Sequence, residues 1–280
     1  MYRNLILLCM TLNMSASVSF GQKIVGHRGA SFDAPENTLA AFREAWAQGA
    51  DGVEGDFYVT KDNQIVCIHD SDAKRTGGTK LVVKDSTLAE LRELEYGGWK
   101  SPKFHGEPIP TFAEVMALIP KGKLFVIELK TGPEIIPLLK TELDRLKPDR
   151  SQLLIIAFKA ETVMESKRVL PDIRVHWLTG YKQNKITGQW TPTVEEVAKT
   201  LKATSADGFG TQGNRAIVTP KFIETLRQRG LKEFHVWTVD DPEDARYFQS
   251  LGAIGITTNK PAVIRESLLT TGGPVKPARD

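Results

Sequence analysis

A closed (β/α)8 barrel of the TIM type, carrying a small insertion after the second strand region, is the fold class this sequence predicts. Strand-like and helix-like segments alternate with short breaks along most of the chain. Eight such units spread over about 250 residues match the usual span of that barrel. The open doubly wound sheet is the alternative, and it is weakened because no glycine-rich dinucleotide fingerprint follows the first strand.

The strands expected are Lys23–His27, Gly52–Val59, Leu124–Leu129, Leu153–Phe158, Arg174–Leu178, Ala206–Gly210, Glu233–Val239 and Ala253–Thr257. They are short and rich in β-branched and aromatic residues between turn formers. The helices expected between and after them are Thr38–Gln48, Thr111–Ile119, Glu134–Leu146, Glu161–Leu170, Val194–Ala203, Pro220–Arg229, Pro242–Leu251 and Ala262–Leu269. Thr111 with Glu114 three residues on reads as a capping box, and Pro220 and Pro242 follow capping residues. Gly49 and Gly230 stand where a helix should stop.

Two regions depart from the alternation. After Val59 the turn "TKDNQ" leads to a second short strand, Ile65–His69, so residues 52–69 read as a strand pair. Residues 71–110 then run long, rich in Gly, Pro and charge, and read as an insertion at the barrel mouth that caps or shapes a site. At the start, Arg3, the apolar run Leu5–Leu12 and the small residues after it read as a secretory signal peptide over residues 1–21. That run is too short to span a bilayer. Cleavage after Ser19 and after Gly21 both fit. Cys9 follows Leu8, where a lipid-attached Cys would want a small residue. The protein is therefore expected to be exported, periplasmic or secreted, without stable membrane insertion. The barrel is expected over residues 22–270, and the tail 271–280 reads as flexible.

Composition excludes some partners. The chain has 280 residues, 41% hydrophobic and 25% charged, enough for one large core. A net charge of +3 without a dense Lys/Arg run gives no nucleic-acid surface. Past the leader one cysteine remains, Cys67, which leaves no internal disulfide and reads as a small buried hydrophobe.

In a barrel the chemistry sits at the C-terminal ends of the strands. The first strand ends in "GHRG" with His27 and Arg28; the second carries Glu54 and Asp56, two apart and so on one face. The strand paired with it ends in His69 and Asp70, and the third ends in "IELK" with Glu128 and Lys130. If Glu54, Asp56 and Glu128 meet at the mouth, their repulsion needs relief. A hard divalent cation, Mg²⁺ or Ca²⁺, held by all-oxygen ligands would supply it. Surface acids, or acids paired with Lys and Arg, are the other reading. Glu128 inside the apolar "LFVIEL" favours the metal, because a buried acid needs a partner. No His-rich set has zinc spacing. His27 and His69 suggest an acid–base pair, and Arg28 and Lys130 suit a phosphate. A small anionic phosphate-bearing substrate follows. His105 reads as solvated, and His176 and His235 read as structural. Trp237 reads either as core or as an apolar wall for the substrate.

The segments "GHRG", "PENT", "GADGVEGDFYVTKDNQIVCIHD", "IELK", "VWTVDD" and "GAIGITTNKP", in that order, resemble the glycerophosphodiester phosphodiesterase family over nearly all of residues 23–265. The resemblance implies a (β/α)8 barrel that hydrolyses glycerophosphodiesters to glycerol 3-phosphate and an alcohol with a divalent metal. It implies His27 and His69 as catalytic histidines and Glu54, Asp56 and Glu128 as metal ligands. Arg28 and Lys130 would be phosphate contacts, with Trp237 an aromatic on the glycerol side. The chain departs from the family pattern at Ala157–Phe158, commonly Ser–Phe, and at Thr258–Asn259, usually Thr–Asp. Two other functions remain: a lysophospholipase D-like lipid-headgroup hydrolase, with the insertion supplying an acyl groove, and a non-catalytic phosphate-binding barrel. Neither the alcohol nor the oligomeric state is written in the sequence.

Overall fold

A computed structural model describes residues 22–269. Residues 1–21, read as a signal peptide, and residues 270–280, which include the tail read as flexible, lie outside the described residues.

The strands are β1 (Lys23–Gly26), β2 (Gly52–Val59), β3 (Ile65–Cys67), β4 (Leu124–Leu129), β5 (Leu153–Ala157), β6 (Arg174–Thr179), β7 (Lys182–Gln183), β8 (Trp190–Thr191), β9 (Gly208–Gln212), β10 (Phe234–Trp237) and β11 (Gly255–Thr258). The helices are α1 (Leu39–Ala47), α2 (Lys74–Gly77), α3 (Leu88–Leu91), α4 (Phe112–Met116), α5 (Ile136–Leu146), α6 (Ala160–Val169), α7 (Val194–Thr204), α8 (Pro220–Gln228), α9 (Pro242–Ser250) and α10 (Pro261–Leu269). The parallel strands run β1-β11-β10-β9-β6-β5-β4-β2, and β1 pairs with β2 to close the ring. The expected barrel is what forms.

Period-two geometry divides each buried strand between two environments. In β4, Phe125, Ile127 and Leu129 face the helices, in the large cluster that also holds Val53 and Phe57 of β2. Val126 points into the barrel with Val25, Leu154, Ile156 and Leu178. The same alternation turns Glu54, Asp56 and Glu128 inward, so the strands that build the core also carry acids into the lumen. Phe57, Phe112 and Phe125 lock β2, α4 and β4 together, with ring centroids 5.4–5.9 Å apart. Burying each such ring contributes roughly 1.5–3 kcal/mol.

The expected caps form. Thr111 and Glu114 make a capping box, Thr219 and Asp241 accept from the first turns of α8 and α9, and Gly49 and Gly230 take positive φ beyond their helices. The insertion has a satellite core of Val66, Ile68, Ala73, Val83, Leu91, Tyr96 and Ile109, separate from the barrel's. Cys67 is buried and free. The β7–β8 hairpin lies in a stretch where no strand is expected from sequence. Among the described residues, no helix is long and apolar enough to cross a membrane.

His176 and His235 are buried at the opposite end from the loops that follow the strands. Their Nδ1 atoms lie 2.9 Å apart, and Glu233 binds His176 Nε2 at 2.8 Å. His235 lines a cavity of about 540 Å³ whose walls are strand beginnings such as Lys23, Leu124 and Arg174. Both histidines are structural in the sense that they sit at the barrel floor, away from the acid cluster.

Candidate active site

The acids meet because of register. Asp56 of β2 is paired with Glu128 of β4 on the neighbouring parallel strand, and Glu54 lies one side-chain repeat earlier. One oxygen from each of the three can be chosen so that all lie within 4.8 Å of one another. Glu54 and Asp56 are buried, and the Glu128 side chain is 12% exposed.

Cations and amides surround them. Lys130 Nζ is 2.7 Å from Glu128 Oε1 and 3.3 Å from Asp56 Oδ1. Arg28 Nε lies 3.2 Å from Asp56 Oδ2, an ion-pair contact not aligned as a hydrogen bond. Its Nη1 donates to Glu36 at 2.8 Å. The Arg28 backbone N–H donates to Glu54 Oε2 at 2.9 Å. Arg28 can aim both groups inward because it takes a left-handed φ of +55°. That costs a non-glycine residue roughly 1–2 kcal/mol. Gly29 follows at φ +85°, seated so closely under α1 that a Cβ would meet the Ala41 backbone at 2.5 Å.

Charge is unevenly satisfied. Burial, then the fields of Asp56 and Glu128, pushes the Glu54 carboxyl well above its ordinary range. Burial and Asp56 raise Glu128 to about 7. Burial alone would raise Asp56 too, but Lys130 and Arg28 hold it below its usual value. Glu54 Oε1 is buried and has no partner among the described residues. An unpaired buried carboxylate oxygen beside two more carboxylates is the donor set a hard divalent cation takes. The three residues therefore fit such an ion.

The two histidines flank this cluster and are held differently. His27, just past β1, is half-buried; desolvation and Arg28 lower its pKa to about 4. Its Nδ1 contacts Asn259 Oδ1 at 2.7 Å. His69, a third exposed, has its Nδ1 2.7 Å from Asp70 Oδ1. Asp70 is clamped by Arg75 at 2.7 Å, which with His69 brings its carboxyl down to about 2. Arg75 also grips Glu36 through both terminal nitrogens at 2.7 and 2.9 Å. One chain of ion pairs thus runs Arg28–Glu36–Arg75–Asp70–His69 around the mouth.

Trp237 ends β10, packs edge-on against the exposed Phe158 at 5.4 Å, and caps the inner barrel cluster. Its indole N–H is buried without a partner among the described residues. Of the residues singled out from sequence, His27, Arg28, Glu54, Asp56, His69, Glu128 and Lys130 gather into one site, and Trp237 stands at its mouth. Sequence reasoning missed Glu36, Asn37, Arg75, Asp240 and Asn259. Asn37 holds Asp56 from both sides, donating to Oδ2 at 2.8 Å and accepting from the Asp56 backbone at 3.2 Å. The "PENT" segment was a usable pointer to Glu36 and Asn37. No local pattern points to Arg75.

A closed α/β barrel whose strand ends gather three acids, two cations and two imidazoles in one pocket defines a barrel with an enzyme-like site at its mouth. The family model described as the glycerophosphoryl diester phosphodiesterase family matches residues 27–263, and the chain belongs to that family. A glycerophosphodiester phosphodiesterase of Caldanaerobacter subterraneus subsp. tengcongensis is 33% identical over 254 residues, covering 89% of this chain and 98% of that protein. One from Bacillus subtilis is 28% identical over 256 residues, 85% of this chain and 83% of its own. Among solved structures, an Oleispira antarctica phosphodiesterase in complex with the product sn-glycerol-3-phosphate superposes with a TM-score of 0.77. It shares 24% identity over 89% of this chain and 97% of that one. A Thermotoga maritima glycerophosphodiester phosphodiesterase gives 0.69 at 24% identity, covering 88% and 97%. These structural likenesses bear on the fold.

Proposed function

We propose that this protein hydrolyses glycerophosphodiesters to glycerol 3-phosphate and an alcohol, with a divalent cation, Mg²⁺ or Ca²⁺, and a histidine pair. The observation that carries the reading is the convergence of Glu54, Asp56 and Glu128 within 4.8 Å, with Glu54 Oε1 buried and unpaired. Family membership and the activity named for its relatives support it. Those three residues would hold the cation, which would supply Lewis-acid stabilisation of charge on the phosphoryl group.

The chain's own residues perform the rest. His27 is kept neutral by burial and Arg28, so it can accept a proton from the nucleophile, either the glycerol 2-hydroxyl or water. His69 is oriented by the Asp70 carboxylate at 2.7 Å and serves as the partner that gives a proton to the leaving alkoxide. Arg28 offers a planar fork and Lys130 a point charge to the phosphate. Trp237 and Phe158 wall one side of the mouth, where the glycerol carbons would pack.

Export after loss of residues 1–21 belongs to the same proposal and rests on the sequence reading alone. A lipid-headgroup hydrolase is the second reading, favoured by exposed Phe32, Trp99 and Phe158. The test is turnover of glycerophosphocholine, glycerophosphoethanolamine and glycerophosphoglycerol against lysophosphatidylcholine, each with and without chelator. Chelator-sensitive release of glycerol 3-phosphate supports the proposal. Turnover unaffected by chelator, or confined to lysolipid, overturns it.

A further inference from the structure

The hydrogen bonds around His27 continue outward through two residues of other strands. Asn259, just past β11, presents Oδ1 to His27 Nδ1 at 2.7 Å and receives the Ser31 hydroxyl on the same oxygen at 2.6 Å. Its Nδ2 donates to Asp240 Oδ2 at 2.6 Å, and its backbone N–H donates to Asp240 Oδ1 at 2.7 Å. The Thr258 hydroxyl also donates to Asp240 Oδ1, at 2.8 Å. The Thr238 hydroxyl lies 3.5 Å from His27 Nδ1, longer than the amide contact. The His27 backbone N–H donates to Thr258 at 2.8 Å, so ring and main chain are tied to the same turn.

This arrangement fixes a direction. An amide has one donor end and one acceptor end. A carboxylate only accepts, so Asp240 must face the Asn259 NH2 group. The amide oxygen then faces His27, where it can only accept. The Ser31 hydroxyl, which can donate or accept, donates to the oxygen that Asp240 has fixed in place. His27 must therefore carry its proton on Nδ1, leaving Nε2 with a free lone pair, which is what a general base needs. The partner is neutral, with the negative charge one residue further out, whereas His69 touches a carboxylate directly.

We propose that Asn259 and Asp240 are a positioning pair that holds His27 in the Nδ1–H tautomer and so makes Nε2 the proton acceptor; this rests on the reading of His27 as the base in phosphodiester cleavage. Asn259 orients the ring, and Asp240 orients Asn259. Neither needs to touch the substrate. Asn259 makes the neutral contact with His27 and Asp240 holds the carboxylate behind it, so the two groups work as a unit.

The test compares wild type with Asp240→Ala, Asn259→Ala and the exchange variant Asn259→Asp/Asp240→Asn. Steady-state kinetics on glycerophosphocholine are read together with ¹⁵N imidazole shifts, His27 being assigned through His27→Gln. In wild type His27 should show a protonated Nδ1 and a bare Nε2. Asp240→Ala should mix the tautomers and lower kcat by about 10²-fold, the scale of a misplaced catalytic group. KM should stay within about twofold, because ground-state binding is untouched. The exchange variant keeps every donor matched to an acceptor and should recover most of the lost kcat, which a loss of folding would not allow. A wild-type His27 protonated on Nε2, or Asp240→Ala with kcat within twofold of wild type, overturns the proposal. Wild-type protein that cleaves no glycerophosphodiester refutes the functional reading instead, and the tautomer measurement still decides the role of the pair.

Discussion

Glu128→Gln should stabilise the cation-free protein, and do so more as pH rises. The Glu128 carboxyl is raised from 4.5 to about 7 by burial and by Asp56. A carboxyl whose folded pKa exceeds its unfolded one favours the fold when protonated. That stability is full below pH 4.5 and is lost as pH rises through 7. The loss is on the order of 3 kcal/mol by pH 8 and about 1 kcal/mol at pH 5. Glutamine mimics the neutral acid and keeps an oxygen for Lys130. Its advantage over glutamate should therefore grow by about 2 kcal/mol between pH 5 and pH 8, or roughly 4–8 °C in Tm for a domain this size. Comparing the two proteins at each pH cancels groups that do not feel Glu128, such as His27, whose lowered pKa acts with the opposite sign, while Glu54, relieved of the Glu128 charge, adds to the advantage of the Gln variant. The assay is thermal unfolding in excess chelator. Adding Ca²⁺ or Mg²⁺ should reverse the order, since only glutamate can then neutralise a bound cation. A Gln variant that is no more stable than wild type at pH 8 in chelator would refute the reasoning.

Other outcomes follow from the same geometry. His27→Ala and His69→Ala should each lower kcat by about 10²–10⁴-fold, the usual share of general acid–base help; near-wild-type turnover in either removes that residue's role. Arg75→Met should cut kcat by about tenfold by freeing Asp70 and Glu36, a misplacement effect, and unchanged kinetics would show that the ion-pair chain around the mouth does not position His69. Phe125→Ala, in the aromatic contact between β2, α4 and β4, should cost about 3–5 kcal/mol in denaturant unfolding, and a loss below 1 kcal/mol would contradict the packing described.

Much of this molecule is legible without coordinates, for definable reasons. The barrel strands are short buried segments bounded by turn residues, and their positions follow to within about two residues. Helix starts such as Thr111, Thr219 and Asp241 are written locally, in residues a few positions apart. Glu54 with Asp56, and Glu128 with Lys130, stand out because charged residues two apart in apolar strands violate the pattern around them. What stayed hidden depends on distant partners. Arg75 sits in the insertion among other charged residues, and only the folded loop brings it to Glu36 and Asp70. Asn259 is visible as a departure from the family's pattern, but its meaning requires Asp240, from the end of another strand. The His176–His235 contact at the floor likewise joins two strands, and neither histidine lies in a motif.

Calorimetric titration of Mg²⁺ and of Ca²⁺ into chelator-treated protein, alongside Asp56→Asn and Glu54→Gln, tests the central claim most directly. Saturable uptake of one ion per chain, abolished or strongly weakened in both variants, is expected. No uptake by the wild type, or uptake that both variants retain, would contradict the account of the acid cluster.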